Sequence, residues 1–159
     1  KIKCEELVRN IRAVLMSGPE PLGNNFNSDY LKTELSKKES PIKNVLLNQS
    51  VVAGLGNIYV CEALFMSGIS PKKRASKISK IKCEELVRNI RAVLMSAIEA
   101  GGSSLKDFTD IQGNSGYFQF EFHVYGRENE CCKIKNCGHK IKRISQSGRS
   151  SFYCPSCQR

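Results

Sequence analysis

The sequence has 159 residues, a length that fits one domain or one domain with a small appendage. Its 25 Lys and Arg against 15 Asp and Glu give a formal net charge of +10, and 40% hydrophobic residues supply a core, which excludes a wholly disordered chain. No run of roughly 18 apolar residues exists, so no transmembrane helix is expected. The opening KIKCEEL carries both signs of charge and no apolar stretch, so no secretory signal is expected either.

Residues 1–17, KIKCEELVRNIRAVLMS, recur unchanged at 80–96. Structural repeats keep a pattern and drift elsewhere, so identity at every position marks a duplicated segment of doubtful origin rather than repeat architecture. Residues 18–23, GPEPLG, have linker composition. A short helix is predicted over Asp29 to Leu35, within a linker-and-helix segment 18–40. Pro41 fits the first position of a next helix with Ser40 as its N-cap, and PIKNVLLNQ places Ile42, Val45 and Leu46 on one face. Gly54 and Gly56 break that helix, Asn57 is expected to cap another, IYVCEALFM, and Gly68 ends it. A long amphipathic helix then spans about 80–100, capped by Ser79 and stopped by Gly101-Gly102. Its stripe is Ile81, Leu86, Val87, Ile90, Val93, Leu94 and Ile98, with Cys83 as a core thiol. GGSSLKDF opens a further short helix, residues 111–117 form a Gly-rich polar loop, and FEFHVYG (120–126) alternates like a strand.

Five of the eight cysteines crowd into residues 131–159, a stretch with seven Lys and Arg and no carboxylate side chain. Without a signal peptide, close cysteine pairs read as a metal site before a disulfide scaffold. Cys132-x4-Cys137 and Cys154-x2-Cys157 offer four thiolates to a tetrahedral Zn²⁺, across a hairpin turning near Ser147-Gly148. So small a unit takes its folding energy from the metal. Cys131 is the alternative first ligand, and His139 is expected at the surface. The positive tail attracts polyanions, nucleic acid foremost. The GLGN turn adds a second anion-binding element. A helix N-terminus directs unpaired N–H groups outward, Asn57 adds a side-chain amide, and Lys43 adds a charge.

Together, a helix–GLGN–helix element and a four-cysteine hairpin resemble the C-terminal half of formamidopyrimidine-DNA glycosylases. The resemblance runs from about Gly18 to Arg159. It rests on GPEPLG, PIKNVLLNQSVVAGLGNIYVCEALFMSGISP, AGGSSLKDF, GYFQFEFHVYGRE and KRISQSGRSSFYCPSCQ. It implies a mainly α fold: a helix–two-turn–helix domain over 41–120, then a small four-cysteine β-hairpin zinc finger over 121–159 that binds one structural Zn²⁺. The implied function is base-excision repair. Such enzymes remove oxidised purines (8-oxoguanine, formamidopyrimidine) from duplex DNA and nick the abasic site, through an N-terminal proline amine and a neighbouring Glu. Carried over, Lys43, Gly56, Asn57 and Arg149 grip phosphates, and Gly113, Gly116 and Tyr117 belong to a loop over the flipped base. Residue 1 is Lys and no Pro-Glu start is present, so no catalytic residue is expected in this chain. The alternative is a non-catalytic, zinc-dependent DNA-binding remnant, with a zinc-ribbon interaction module as the third reading. The expected partner is double-stranded DNA with an oxidised purine or abasic site. A monomer in the bacterial cytoplasm, at the nucleoid and away from membranes, is expected.

Overall fold

A computed structural model describes residues 17–100 and 122–159. In chain order it contains α1 (Ser28–Ser36), α2 (Ile42–Leu46), α3 (Asn57–Met66), a 3₁₀ turn (Ala75–Lys77), α4 (Lys80–Glu99), β1 (Lys142–Gln146) and β2 (Arg149–Tyr153). The expected stop at Gly101-Gly102, the helix from GGSSLKDF, the loop 111–117 and residues 1–16 lie outside the described residues.

Each helix start has a local cause. Asn27 caps α1, its Oδ1 accepting from the N–H groups of Asp29 (3.1 Å) and Tyr30 (3.0 Å). Ser79 caps α4, as its position before the apolar stripe predicts, by accepting from Lys82 N–H. Two expected caps are corrected. The cap of α2 is Pro41 rather than Ser40. Residues 40–42 run antiparallel to 73–75, with Ile42 N–H donating to Lys73 O (2.7 Å) and Ala75 N–H to Ser40 O (3.0 Å). That pairing holds Pro41 extended and delays the helix, which is also shorter than PIKNVLLNQ suggested. In α3 the cap is Gly56 and Asn57 is the first helical residue. The Asn57 amide is drawn away to the hairpin instead, as described below.

Two apolar clusters share α3. The larger joins Leu31 and Leu35 of α1, Ile42 and Leu46 of α2, Leu64 of α3, and Leu86 and Ile90 of α4. α4 packs against both α1 and α3. Its buried stripe is Cys83, Leu86, Val87, Ile90, Val93 and Ala97. Ile81 and Ile98, expected on this stripe, are 68% and 61% exposed. They lie two positions before Cys83 and one after Ala97, rotations that carry both off a 3.6-residue stripe. The smaller cluster joins Cys61 and Phe65 of α3 to Val124, Ile141, Phe152, Cys132 and Cys154. From Ile58 to Phe65 only Tyr59 of α3 escapes burial, which is why its sequence is apolar on all sides.

Arg91 of α4 fastens the preceding linker, donating to the carbonyls of Pro21 (3.1 Å), Gly23 (3.1 Å) and Phe26 (2.8 Å). At Gly18 a side chain is excluded outright, since a Cβ would sit 2.4 Å from Val51 O. β1 and β2 form a two-stranded antiparallel sheet with Gln146 opposite Arg149. The strand expected from FEFHVYG does not form over 122–126. A carboxylate on α3 takes up its N–H groups instead.

Candidate nucleic-acid interface and metal centre

Glu62 is one charged residue inside an apolar helix, and its carboxylate is almost fully buried. Its Oε2 accepts from His123 N–H (2.8 Å), and its Oε1 from the N–H groups of Val124 (2.9 Å) and Tyr125 (2.9 Å). His123 Nδ1 lies 3.1 Å from Oε2, and its ring stacks on Phe65. Burial pushes this carboxyl up. The hydrogen bonds from the His123 side chain and from three successive N–H groups outweigh it, so the pKa falls below the usual value. An extended strand would point those N–H groups alternately to opposite sides; here all three converge on one anion. The sequence carried a signal for this, an isolated Glu in IYVCEALFM, but nothing in it named the partners.

Beyond this clasp the chain forms the cysteine cluster. The Sγ atoms of Cys132, Cys137, Cys154 and Cys157 lie within 4.8 Å of one another. Cys132 and Cys157 are 3.9 Å apart, Cys137 and Cys154 3.6 Å, and Cys137 and Cys157 3.3 Å. Tetrahedral thiolates about 2.3 Å from a Zn²⁺ stand about 3.8 Å from each other, so the donor set fits such an ion. Positive φ at Asn136 (63°) and Gly138 (67°) turns the chain around Cys137. The N–H of His139, with a contact from Cys157, lowers the Cys137 thiol to about 6, whereas burial pushes the Cys132 and Cys157 thiols up. Of the neighbouring pair it is Cys132 that joins the cluster. Cys131 is exposed, its backbone bridged to Lys140. His139 is exposed as expected, its Nδ1 2.8 Å from Cys137 O.

The finger is stitched to α3 at its far end as well. Gln158 is buried, donating from Nε2 to Ile69 O (2.9 Å) and accepting from Cys154 N–H (2.8 Å). Arg159 N–H donates to Gly68 O (3.1 Å).

The four expected phosphate ligands fall at the seam between hairpin and helices. Lys43 is wholly buried, with Nζ donating to Ser150 O (2.9 Å) and Ser151 Oγ (2.6 Å). Burial, with a contribution from Arg149, lowers its pKa. Asn57 Nδ2 donates to the same Ser150 carbonyl (3.1 Å). Ser151 Oγ passes the connection on to Gln146 Oε1 (2.7 Å), and Gln146 Nε2 donates to Pro71 O (3.2 Å). Arg149, one residue before Ser150, is exposed. Gly56 has φ −91°, and a Cβ there would meet only the Tyr59 ring, at 3.7 Å. Nothing described inside the protein requires glycine at 56, and Gly56 and Asn57 at the N-terminus of α3 are half-buried. Thus Lys43, Asn57 and Arg149 come together around Ser150. The inward aim of Lys43 and Asn57 was not readable from sequence, since it depends on a strand about a hundred residues away. Gly113, Gly116 and Tyr117 lie outside the described residues.

A glycine-turned helix pair and a four-cysteine hairpin, packed on one shared helix, define a helix–two-turn–helix protein with a zinc-finger-type appendage. Residues 17–109 match the family model of the formamidopyrimidine-DNA glycosylase H2TH domain, and residues 135–159 match that of the zinc finger found in FPG and IleRS. The chain belongs to the formamidopyrimidine-DNA glycosylase family. It is 55% identical over 148 residues to the formamidopyrimidine-DNA glycosylase of Ruegeria pomeroyi, a match covering 93% of this chain and 52% of that protein. Among solved structures it is similar to the MutM (FPG) protein of Thermus thermophilus, with TM-score 0.87 and 39% identity over 94% of this chain and 56% of that one. The Lactococcus lactis FPG mutant G226P in complex with Fapy-dG-containing DNA gives TM-score 0.85 and 35% identity, over 98% of this chain and 55% of that one. The chain therefore spans about half the length of the curated relatives it matches. No described helix is long and apolar enough to cross a membrane.

Proposed function

We propose that this chain is the DNA-holding half of a base-excision repair glycosylase. Removal of oxidised purines (8-oxoguanine, formamidopyrimidine) and nicking of the abasic site belong to the whole protein, and no residue of this chain is assigned a catalytic role. The observation that carries the reading is the convergence of Arg149, Asn57 and the N-terminus of α3 around Ser150, beside a tail with seven cationic side chains. Arg149 binds a phosphate of the duplex through a two-pronged guanidinium contact. The N–H groups at the Gly56 cap and at the first helical residue, Asn57, take a second phosphate, and the Asn57 amide braces Ser150 beside it. Lys43 acts from beneath, as a positive charge and as the brace of the Ser150 strand. Gly113, Gly116 and Tyr117 cover the extruded base. One structural Zn²⁺ sits among Cys132, Cys137, Cys154 and Cys157 and supplies the folding energy of the finger. The protein acts as a monomer, in the bacterial cytoplasm at the nucleoid.

The test is equilibrium binding of the zinc-loaded chain to a duplex containing a tetrahydrofuran abasic-site analogue, at several salt concentrations. A steep fall of affinity with salt is expected, from release of phosphate counterions. Arg149→Ala is expected to weaken binding ~10-fold, as for a charge-assisted hydrogen bond of about 1.5 kcal/mol, and to lower the salt slope by about one. Affinity indifferent to salt and to Arg149 would overturn the reading. Borohydride trapping on the same duplex with a natural abasic site is expected to give no covalent adduct, because no amine of this chain is assigned to C1′.

A further inference from the structure

Both turn residues of the hairpin are left-handed, with φ 48° at Ser147 and 73° at Gly148. Glycine adopts this region freely, whereas serine rarely does. Ser147 has an outside partner. Asn44 Nδ2, on α2, donates to Ser147 Oγ at 3.0 Å, across 103 residues of sequence. Among the described residues the Asn44 Oδ1 is buried without a hydrogen-bond partner, so the Ser147 contact orients the amide. Asn44, Leu47 and Asn48 face Gln146, Ser147 and Arg149 across a cleft of about 140 Å³. On the other side of Arg149, Ser150 O is held by Lys43 and Asn57. Arg149 is thus bracketed: residue 147 is tied to α2, and residue 150 is tied to α2 and α3. Fixing the backbone on both sides leaves only the side-chain rotations of Arg149 to be ordered when it binds an anion.

We infer that Asn44 and Ser147 are positioning residues for Arg149, a side-chain clamp that sets the direction in which the hairpin presents its guanidinium to a DNA phosphate. The inference rests on the phosphate reading of Arg149 and adds to it. The clamp touches no DNA itself. Its loss lets the turn rock about the Ser150 anchor, so binding must restrain motions that are now restrained beforehand.

The experiment compares Asn44→Ala, Ser147→Gly and Arg149→Ala, singly and combined, in the zinc-loaded chain. Affinity is read on the tetrahydrofuran duplex and thermal stability on the free protein. Ser147→Gly keeps a residue suited to φ 48° and removes the whole side chain that carries Oγ, so the contact to Asn44 is lost while the turn conformation remains allowed. Asn44→Ala and Ser147→Gly are each expected to weaken binding about three- to tenfold while the melting temperature does not fall. The pair combined is expected to weaken it no more than either alone, and neither adds a loss in the Arg149→Ala background. Loss with Arg149→Ala but none with the other two overturns the clamp and leaves the phosphate reading standing. An Asn44→Ala loss of equal size in the Arg149→Ala background also overturns it, since Asn44 would then act independently. No loss with Arg149→Ala overturns both.

Discussion

In the helical body, Leu31 and Leu35 of α1, Leu64 of α3 and Leu86 and Ile90 of α4 are fully buried and pack into one cluster. In the finger, the corresponding positions are held by Cys132, Cys154, Ile141 and Phe152 and by few other side chains. What the finger lacks in area it replaces with point attachments: four sulfurs, the Glu62 carboxylate and the Gln158 amide. The body gains by burying many side chains, each contributing about 1.5–3 kcal/mol, and can lose one without losing its shape. A region held by a few points has no such redundancy, and each attachment that fails releases a whole segment.

Four changes probe this contrast, from the largest expected effect to the smallest. Removing the metal with a chelator, or replacing Cys154 by Ala, is expected to unfold the finger alone. Zinc binding in comparable units is worth about 10–16 kcal/mol, far more than the finger's small core can replace. Far-UV circular dichroism should retain the signal of α1, α3 and α4, while hairpin amide resonances collapse into the random-coil region. Retention of the hairpin without metal would erase the contrast.

Glu62→Ala comes next, leaving the N–H groups of His123, Val124 and Tyr125 without their acceptor, at about 3 kcal/mol or more in denaturant melts. The same residue predicts a pH dependence. Because its folded pKa lies below the unfolded one, its stabilisation is fully present above the unfolded value and is lost as pH falls through the folded value. Stability should therefore decline on acidification, and Glu62→Gln should flatten that decline. Leu86→Ala, in the body, is expected to cost about 2–5 kcal/mol and to lower the melting of α1, α3 and α4 together. Arg91→Ala sharpens the comparison from within the body, where three carbonyls of residues 21–26 depend on one guanidinium. A loss of about 1–2 kcal/mol is expected, with faster hydrogen exchange confined to that segment.

The parts of the molecule legible in sequence are those decided over a few residues. The stripe from Cys83 to Val93 and the Ser79 cap followed from helical period and cap chemistry, and cysteine spacing pointed to the cluster of Cys132, Cys137, Cys154 and Cys157, with Cys131 left as the alternative first member. Misjudged features depended on partners far along the chain. Ser40 has the chemistry of an N-cap, yet residues 73–75 hold its neighbour extended. Asn57 also has that chemistry, yet its amide serves Ser150. FEFHVYG has the alternation of a strand, but Glu62 gathers the N–H groups that a strand would distribute. Lys43, read from sequence as a charge toward phosphate beside the glycine turn, is buried and donates to Ser150 O and Ser151 Oγ of β2. The cationic tail and the glycine turn thus pointed to the general location of the candidate grip, while its internal wiring was beyond reach.

The doubly covered helix α3 has a consequence for how the chain is made. Cys61 and Phe65 emerge from the ribosome long before Phe152 and Cys154, which finally cover them. Until then one face of the central helix is an uncovered apolar surface, held in place by α4 on its other side, and such surfaces invite association between nascent chains. Metal uptake by the last cysteines would then also close this window, so on the zinc reading a shortage during synthesis is expected to show as aggregation before it shows as lost binding.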